Sequence, residues 1–163
     1  MHVYQLMRQQ MFPMDHSEVF AFFADASNLE RITPPWLRFE IKTSAPIAMA
    51  KGTEIRYRLQ IHGIPITWRS LIPVWNPPYE FVDVQTHGPY KYWHHLHTFD
   101  PLPRGTIVRD YVHYSVPGGV IFGPLVNALL VKPWLNAIFN FREMSLANIL
   151  GNEASSCSRG IGQ

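Results

Sequence analysis

The chain has one cysteine, Cys157, so no internal disulfide can hold it together and its fold must rest on a packed core. Charge is scarce as well. Lys, Arg, Asp and Glu make up 16% of the 163 residues, 14 basic against 12 acidic, for a net charge of +2. These charges are scattered, which argues against the basic stripe of a nucleic-acid binder. There is also no unbroken apolar run long enough to span a bilayer. The nearest approach, Val120 to Phe141, is interrupted by Asn127, Lys132, Pro133, Asn136 and Asn140, so no membrane-spanning helix is expected. The opening MHVYQLMRQQMF lacks the basic head and apolar stretch of a secretory signal. With the lone cysteine, this predicts a cytoplasmic protein. No internal repeat or low-complexity block is present, and the length suits one domain.

What is there reads as strands, then a helix. Val3 to Phe12 suits an opening edge strand that Pro13 closes. Asp15 and Glu18 have the spacing of a capping box, and the following Val19, Phe20, Phe22 and Phe23 predict a short helix ending near Asp25. A second helical turn fits Ser27 to Thr33, before Pro34-Pro35 forbids continuation. Glu54 to Ile61 alternates, with Ile55, Tyr57, Leu59 and Ile61 on a dry face and Glu54, Arg56, Arg58 and Gln60 on a wet one. A two-residue turn at His62-Gly63 would set Leu59 opposite Ile66 and Tyr57 opposite Trp68. Further strands are expected at Phe81 to Thr86, Tyr90 to Phe99 and Thr106 to Val116. Beyond Pro117-Gly118-Gly119, residues Leu135, Ile138, Phe139, Arg142, Leu146 and Ile149 recur at helical spacing, and Pro133 should kink or restart that helix. The domain is read as 1–150, and the small, polar residues 151–163 as a disordered or loosely ordered tail.

This order, strand, two short helices, meander and long final helix, resembles the α+β helix-grip fold of the START-like or SRPBCC superfamily. The motifs Phe20-Ala21-Phe22-Phe23-Ala24-Asp25-Ala26-Ser27-Asn28-Leu29-Glu30, Thr33-Pro34-Pro35-Trp36, Phe81-Val82-Asp83-Val84-Gln85, Gly88-Pro89-Tyr90 and Trp93 to Phe99 resemble its bacterial ligand-binding branch near the polyketide cyclases and dehydrases. So do Trp68-Arg69, Gly105-Thr106 and Asp110-Tyr111-Val112-His113-Tyr114. The resemblance covers about Val3 to Leu150. It implies a curved antiparallel sheet wrapped around the C-terminal helix to enclose an apolar cavity, with Trp36 on a loop at its mouth. It implies no reaction, since fold does not carry chemistry.

Three of the eight histidines fall in Trp93-His94-His95-Leu96-His97-Thr98-Phe99. On a strand, Trp93, His95, His97 and Phe99 share a face, and His94 points away. On the next strand Asp110 is the one charge on the apolar face of Thr106, Val108, Val112, Tyr114 and Val116. Parity across the hairpin sets Asp110 opposite His95 or His97. The bland reading is a buried hydrogen-bonded pair. The sharper one makes His95 or His97 a general acid or base oriented by Asp110. Metal binding is the third option, because H-x-H plus a facing carboxylate resembles a facial triad. With no other ligand clearly placed and neighbouring aromatics leaving little room for bound water, no metal and no other cofactor is expected. Val82 and Val84 argue that Asp83 and Gln85 face solvent, Phe81 argues the reverse, and the family pattern favours an inward Gln85.

The ligand-binding set is therefore Tyr57, Trp68, Gln85, Trp93, His95, His97, Asp110 and Tyr114, aromatic walls with a few convergent polar groups. The expected function is binding or carriage of an apolar or aromatic small molecule, or a lipid, in a cavity of ~300 Å³ or more. One alternative is a cyclase- or dehydratase-like enzyme. The other is an interaction module with a collapsed cavity, kept because the resemblance includes domains fused to sugar-epimerase-like partners.

Overall fold

The computed structural model describes residues 2–159, and the side chains of all of these but 120, 121 and 152–159. Strand β1 (Tyr4–Phe12) leads through helix α1 (His16–Ala24) and two 3-10 turns, Ala26–Leu29 and Pro35–Leu37, to the short β2 (Glu40–Ile41). A meander follows: β3 (Glu54–Ile61), β4 (Ile64–Asn76), β5 (Glu80–His87), β6 (Tyr92–Leu102) and β7 (Gly105–Ser115). Helices α2 (Gly119–Val126) and α3 (Lys132–Arg159) end the chain. The seven strands form one antiparallel sheet in the order β1-β7-β6-β5-β4-β3-β2, open at β1 and β2. This is the helix-grip arrangement.

Local chemistry explains the boundaries. Asp15 caps α1 by accepting the Ser17 backbone N–H at 2.8 Å. His62 and Gly63 adopt φ of 49° and 80°, the left-handed pair that a two-residue hairpin turn requires. That turn sets Leu59 opposite Ile66 and Tyr57 opposite Trp68. The β4–β5 register slips between Leu71 and Val74, around Pro73, whose missing N–H suits a break in the ladder. Between α2 and α3 the backbone widens into a π turn, Asn127–Val131, so Pro133 enters in the first turn of the new helix, where its missing N–H costs nothing. Helix α3 stays helical through Arg159, past residue 150, where composition predicts a loose tail. Residues 152–159 hold no Pro or Gly to stop a helix already running. Residues 160–163 of that tail lie outside the described residues.

The core has two parts. Toward the β3–β4 hairpin, Ile55, Tyr57, Leu59, Trp68, Trp93 and Tyr114 pack with Leu135 and Phe139 of α3. Toward β1 and α1, Phe12, Phe20, Phe23, Phe81 and Phe99 pack with Leu146 and Leu150. One helix, running from Phe122 to Gly151 by composition, is long and apolar enough to cross a bilayer. Its residues Leu135, Phe139, Leu146 and Leu150 are buried against the sheet, whereas Phe122, Leu125, Leu129 and Leu130 are exposed.

Candidate functional site

Strand β6 alternates as its composition requires, with Trp93, His95, His97 and Phe99 all buried on the concave face. On one side β7 sets Asp110 opposite His97 and Val112 opposite His95. On the other, β5 sets Phe81 opposite His97 and Asp83 opposite His95. Three adjacent strands therefore bring two imidazoles and two carboxylates together. His95 and His97 are 4% and 3% exposed, and their rings lie 3.7 Å apart between centroids.

The hydrogen bonds run crosswise. His95 Nε2 donates to Asp110 Oδ1 at 2.8 Å, and His97 Nε2 donates to Asp83 Oδ2 at 3.1 Å. His95 Nδ1 lies 3.4 Å from the same Asp83 oxygen. His97 Nδ1 lies 2.8 Å from Asp110 Oδ1, at an angle that leaves it without a hydrogen bond. From α3, Arg142 brings its Nη2 to 4.0 Å from Asp110 Oδ1 and lays its guanidinium over the rings of Phe23 and Phe139.

Burial opposes every charge here, and the neighbours decide which charges survive. For Asp110, burial is outweighed by Arg142, by the hydrogen bond from His95 and by the close approach of His97, so its pKa stays well below the usual carboxylate value. Asp83 is likewise lowered, through His97 chiefly, then His95 and Arg142. Burial would neutralise His97, but the adjacent Asp110 and the hydrogen bond to Asp83 raise its pKa. His95 goes the other way, lowered by burial and by the adjacent His97.

Asp83, His95, His97 and Arg142 of this cluster line a cavity of about 210 Å³ between sheet and α3, to which Asp25, Asn28, Thr33 and Ser70 add further polar groups. The rest is mainly apolar: Phe22, Leu37, Phe39, Ile55, Leu59 and Ile138 are examples. The volume is below the ~300 Å³ expected of small-molecule pockets. Bulky rings account for this, since Tyr57, Trp68, Tyr90, Trp93, Trp134 and Phe139 all project into the space.

Of the residues singled out in the sequence, Tyr57, Trp68, Trp93, His95 and His97 line the cavity. Three do not reach it. Asp110 lies behind the histidines, accepting from His95. Gln85 shares the inward face with Phe81 and Asp83, but its amide clasps the Tyr90 backbone, donating to the carbonyl at 2.7 Å and accepting the N–H at 3.2 Å. Tyr114 donates its hydroxyl to Asn127 Oδ1 at 2.9 Å, tying β7 to the π turn. Trp36 packs edge-on against Phe141 and is an anchor of its loop. Two further site residues emerge. Asp83, on the face that its valine neighbours left undecided, lines the cavity and bonds His97. Arg142 lines it from α3, and its signal was a charge at helical spacing within an apolar stripe.

No protein-family model and no curated protein matches this sequence. Solved structures do resemble it. The Zhui aromatase/cyclase from Streptomyces sp. R1128 superposes with a TM-score of 0.66 at 16% identity over 99% of both chains. A START superfamily protein from Mycobacterium smegmatis gives 0.65 at 13% identity, over 89% of this chain and 98% of that one. The ginseng major latex-like protein 151 from Panax ginseng gives 0.60 at 13% identity, over 87% and 96%. At such identities the likeness establishes the START-like, SRPBCC-type helix-grip fold.

Proposed function

We propose that the chain binds a compact, largely aromatic small molecule, with its apolar body among the rings and a polar substituent against Asp83, His95 and His97. The observation that carries this reading is the mainly apolar cavity with one concentrated polar cluster in its wall. Size narrows the ligand. A cavity of ~150 Å³ holds benzene, so about 210 Å³ suits one or two rings. That favours an aromatic ligand over a lipid. An interaction module would need a collapsed cavity, which this is not. With a single cysteine, the binder suits the reducing cytoplasm.

A second reading is acid/base turnover of the bound ring, as in a cyclase or dehydratase. It is favoured by one observation: each imidazole that lines the cavity is oriented by a carboxylate. The resemblance to an aromatase/cyclase is one of fold, and supports this reading only as analogy. Native mass spectrometry of the chain purified from its own cells tests the first reading. A retained aromatic molecule is expected, with less retained by Ile138→Trp, which fills part of the cavity. If nothing is retained and a hydrophobic dye gives no response to the folded protein, the binding reading fails.

A further inference from the structure

The two histidines and Asp83 meet in a geometry that hydrogen bonding alone does not require. His95 turns Nδ1 toward Asp83 Oδ2 at 3.4 Å, and His97 turns Nε2 toward the same oxygen at 3.1 Å. One donor atom from each of the three residues lies within 4.8 Å of the others. With metal–ligand bonds of ~2.1 Å, neighbouring ligand atoms stand ~3.0 Å apart in an octahedron and ~3.4 Å apart in a tetrahedron. The two edges that meet at Asp83 thus already have the lengths of a coordination polyhedron.

The far sides of the rings add a second observation. His95 Nε2 is held by Asp110 Oδ1 at 2.8 Å, and His97 Nδ1 stands at the same distance from that oxygen. A carboxylate behind an imidazole is the arrangement that fixes the tautomer and raises the basicity of a metal-ligating histidine. Here one carboxylate serves both rings and is itself backed by Arg142 at 4.0 Å. The inner side faces the cavity, which Asp83, His95 and His97 all line.

We propose that Asp83, His95 and His97 form a mononuclear site for a divalent first-row transition ion, with Asp110 as the outer carboxylate and a coordination position open to the cavity. Two imidazoles and one carboxylate on one face suit Fe²⁺, Co²⁺ or Zn²⁺ and not Ca²⁺ or Mg²⁺, which need oxygen ligands. With neutral imidazoles, the ion and Arg142 outweigh the two carboxylates by one positive charge. An anionic oxygen, from hydroxide or from a carboxylate or phenolate on the cavity ligand, would balance it at the open position. The metal site does not depend on which molecule fills the cavity.

The test is Co²⁺ titration of the full chain after dialysis against a chelator, followed by visible absorption, with Zn²⁺ measured by calorimetry. One ion per chain is expected, with the d–d bands of a four- or five-coordinate nitrogen and oxygen site. Asp110→Asn should weaken binding ~10- to 100-fold, and Asp83→Asn, which removes a ligand, by more. Circular dichroism and melting establish that each variant is folded. Should Asp83→Asn fail to fold, paramagnetic broadening by Co²⁺ of the His95 and His97 ring protons in the unaltered chain decides the matter. His94 and His113 form a cross-strand pair on the opposite face, 6.3 Å between ring centroids. The double variant His94→Ala/His113→Ala should bind as the parent does. Absence of one-to-one binding, binding lost in that double variant, binding unchanged in folded Asp83→Asn, or ring protons left sharp would overturn the assignment.

Discussion

Replacing Asp110 by Asn probes the centre of the cluster while leaving its shape almost unchanged. The carboxylate, 11% exposed, accepts from His95 at 2.8 Å and stands 4.0 Å from Arg142. Asn keeps one oxygen for His95, so what is lost is the charge. A hydrogen bond to a charged group is worth ~1.5–3 kcal/mol and a neutral one ~0.5–1.5 kcal/mol. The lost attraction to Arg142 adds to that difference, and the smaller desolvation of a neutral amide subtracts from it. A net destabilisation of ~1–3 kcal/mol follows. For a chain of this size that corresponds to a Tm lower by ~2–12 °C. Asp110→Leu is the harsher case, because His95 loses its acceptor and Arg142 and His97 lose the adjacent negative charge, and ~3–5 kcal/mol is expected. Differential scanning calorimetry and urea unfolding of chelator-treated protein measure both variants. If Asp110→Asn melts with the parent, or Leu costs no more than Asn, the carboxylate is not holding the cluster and the account given of it is wrong.

Burial, and for Tyr57 the charge of Asp83, raises the pKa of Tyr57 and Tyr90 above the ordinary value of 10.0. Because the folded value is the higher one, their neutral form favours folding fully below pH 10, and that contribution is lost as the pH rises beyond it. Spectrophotometric titration should therefore find these two of the seven tyrosines ionising only together with alkaline unfolding; their titration in still-folded protein would contradict this. Gly105 has φ +147° and a Cβ there would lie 2.1 Å from the Phe12 carbonyl oxygen, whereas one at Gly63, φ +80°, meets nothing within 4 Å. Gly63→Ala should cost ~1–2 kcal/mol in urea unfolding, and Gly105→Ala distinctly more, with loss of β1–β7 amide protection in hydrogen exchange. Tyr114→Phe leaves buried Asn127 without its donor and should cost ~1–3 kcal/mol; in that background Asn127→Ala should cost less than it does alone, and strict additivity would deny the contact.

Parity carried most of what was legible in the sequence. The alternation of Glu54 to Ile61 and the His62-Gly63 turn were enough to set the β3–β4 register, because a one-residue slip would have turned every apolar side chain outward. The same reasoning placed Asp110 opposite His95 or His97, and the strand register makes it His97. It failed at β5, where Phe81 and Val82 are both buried and the alternation that identifies the inner face is blurred. Asp83 was left undecided for that reason. Arg142 was visible as a member of the α3 stripe, but a helical period says which face a residue shares and not what it meets there. Pro73 obscured the continuity of β4, because a proline within a strand ordinarily signals its end. The cavity volume was not legible at all. It depends on the rotamers of six aromatic side chains, which no periodicity specifies.

The position of the cluster bears on why it exists. It lies at the seam of the two apolar clusters, with His97 stacked on Phe81 at 4.2 Å and His95 facing Phe139 at 5.7 Å. Apolar side chains in these places would join the two into one core, and such replacements of buried ionic groups are often neutral or stabilising. Nor is the cluster arranged for greatest stability, since His97 Nδ1 and Arg142 Nε are buried without a hydrogen-bond partner. Each such group costs ~1–3 kcal/mol, which a scaffold selected only for cohesion would have no cause to retain. A site that must accept an incoming group keeps polar atoms at its wall even where they cost stability. The two imidazoles and Asp83 line the cavity, while Asp110 stands behind them. The cluster is therefore better explained by what enters the cavity than by what holds the helix to the sheet.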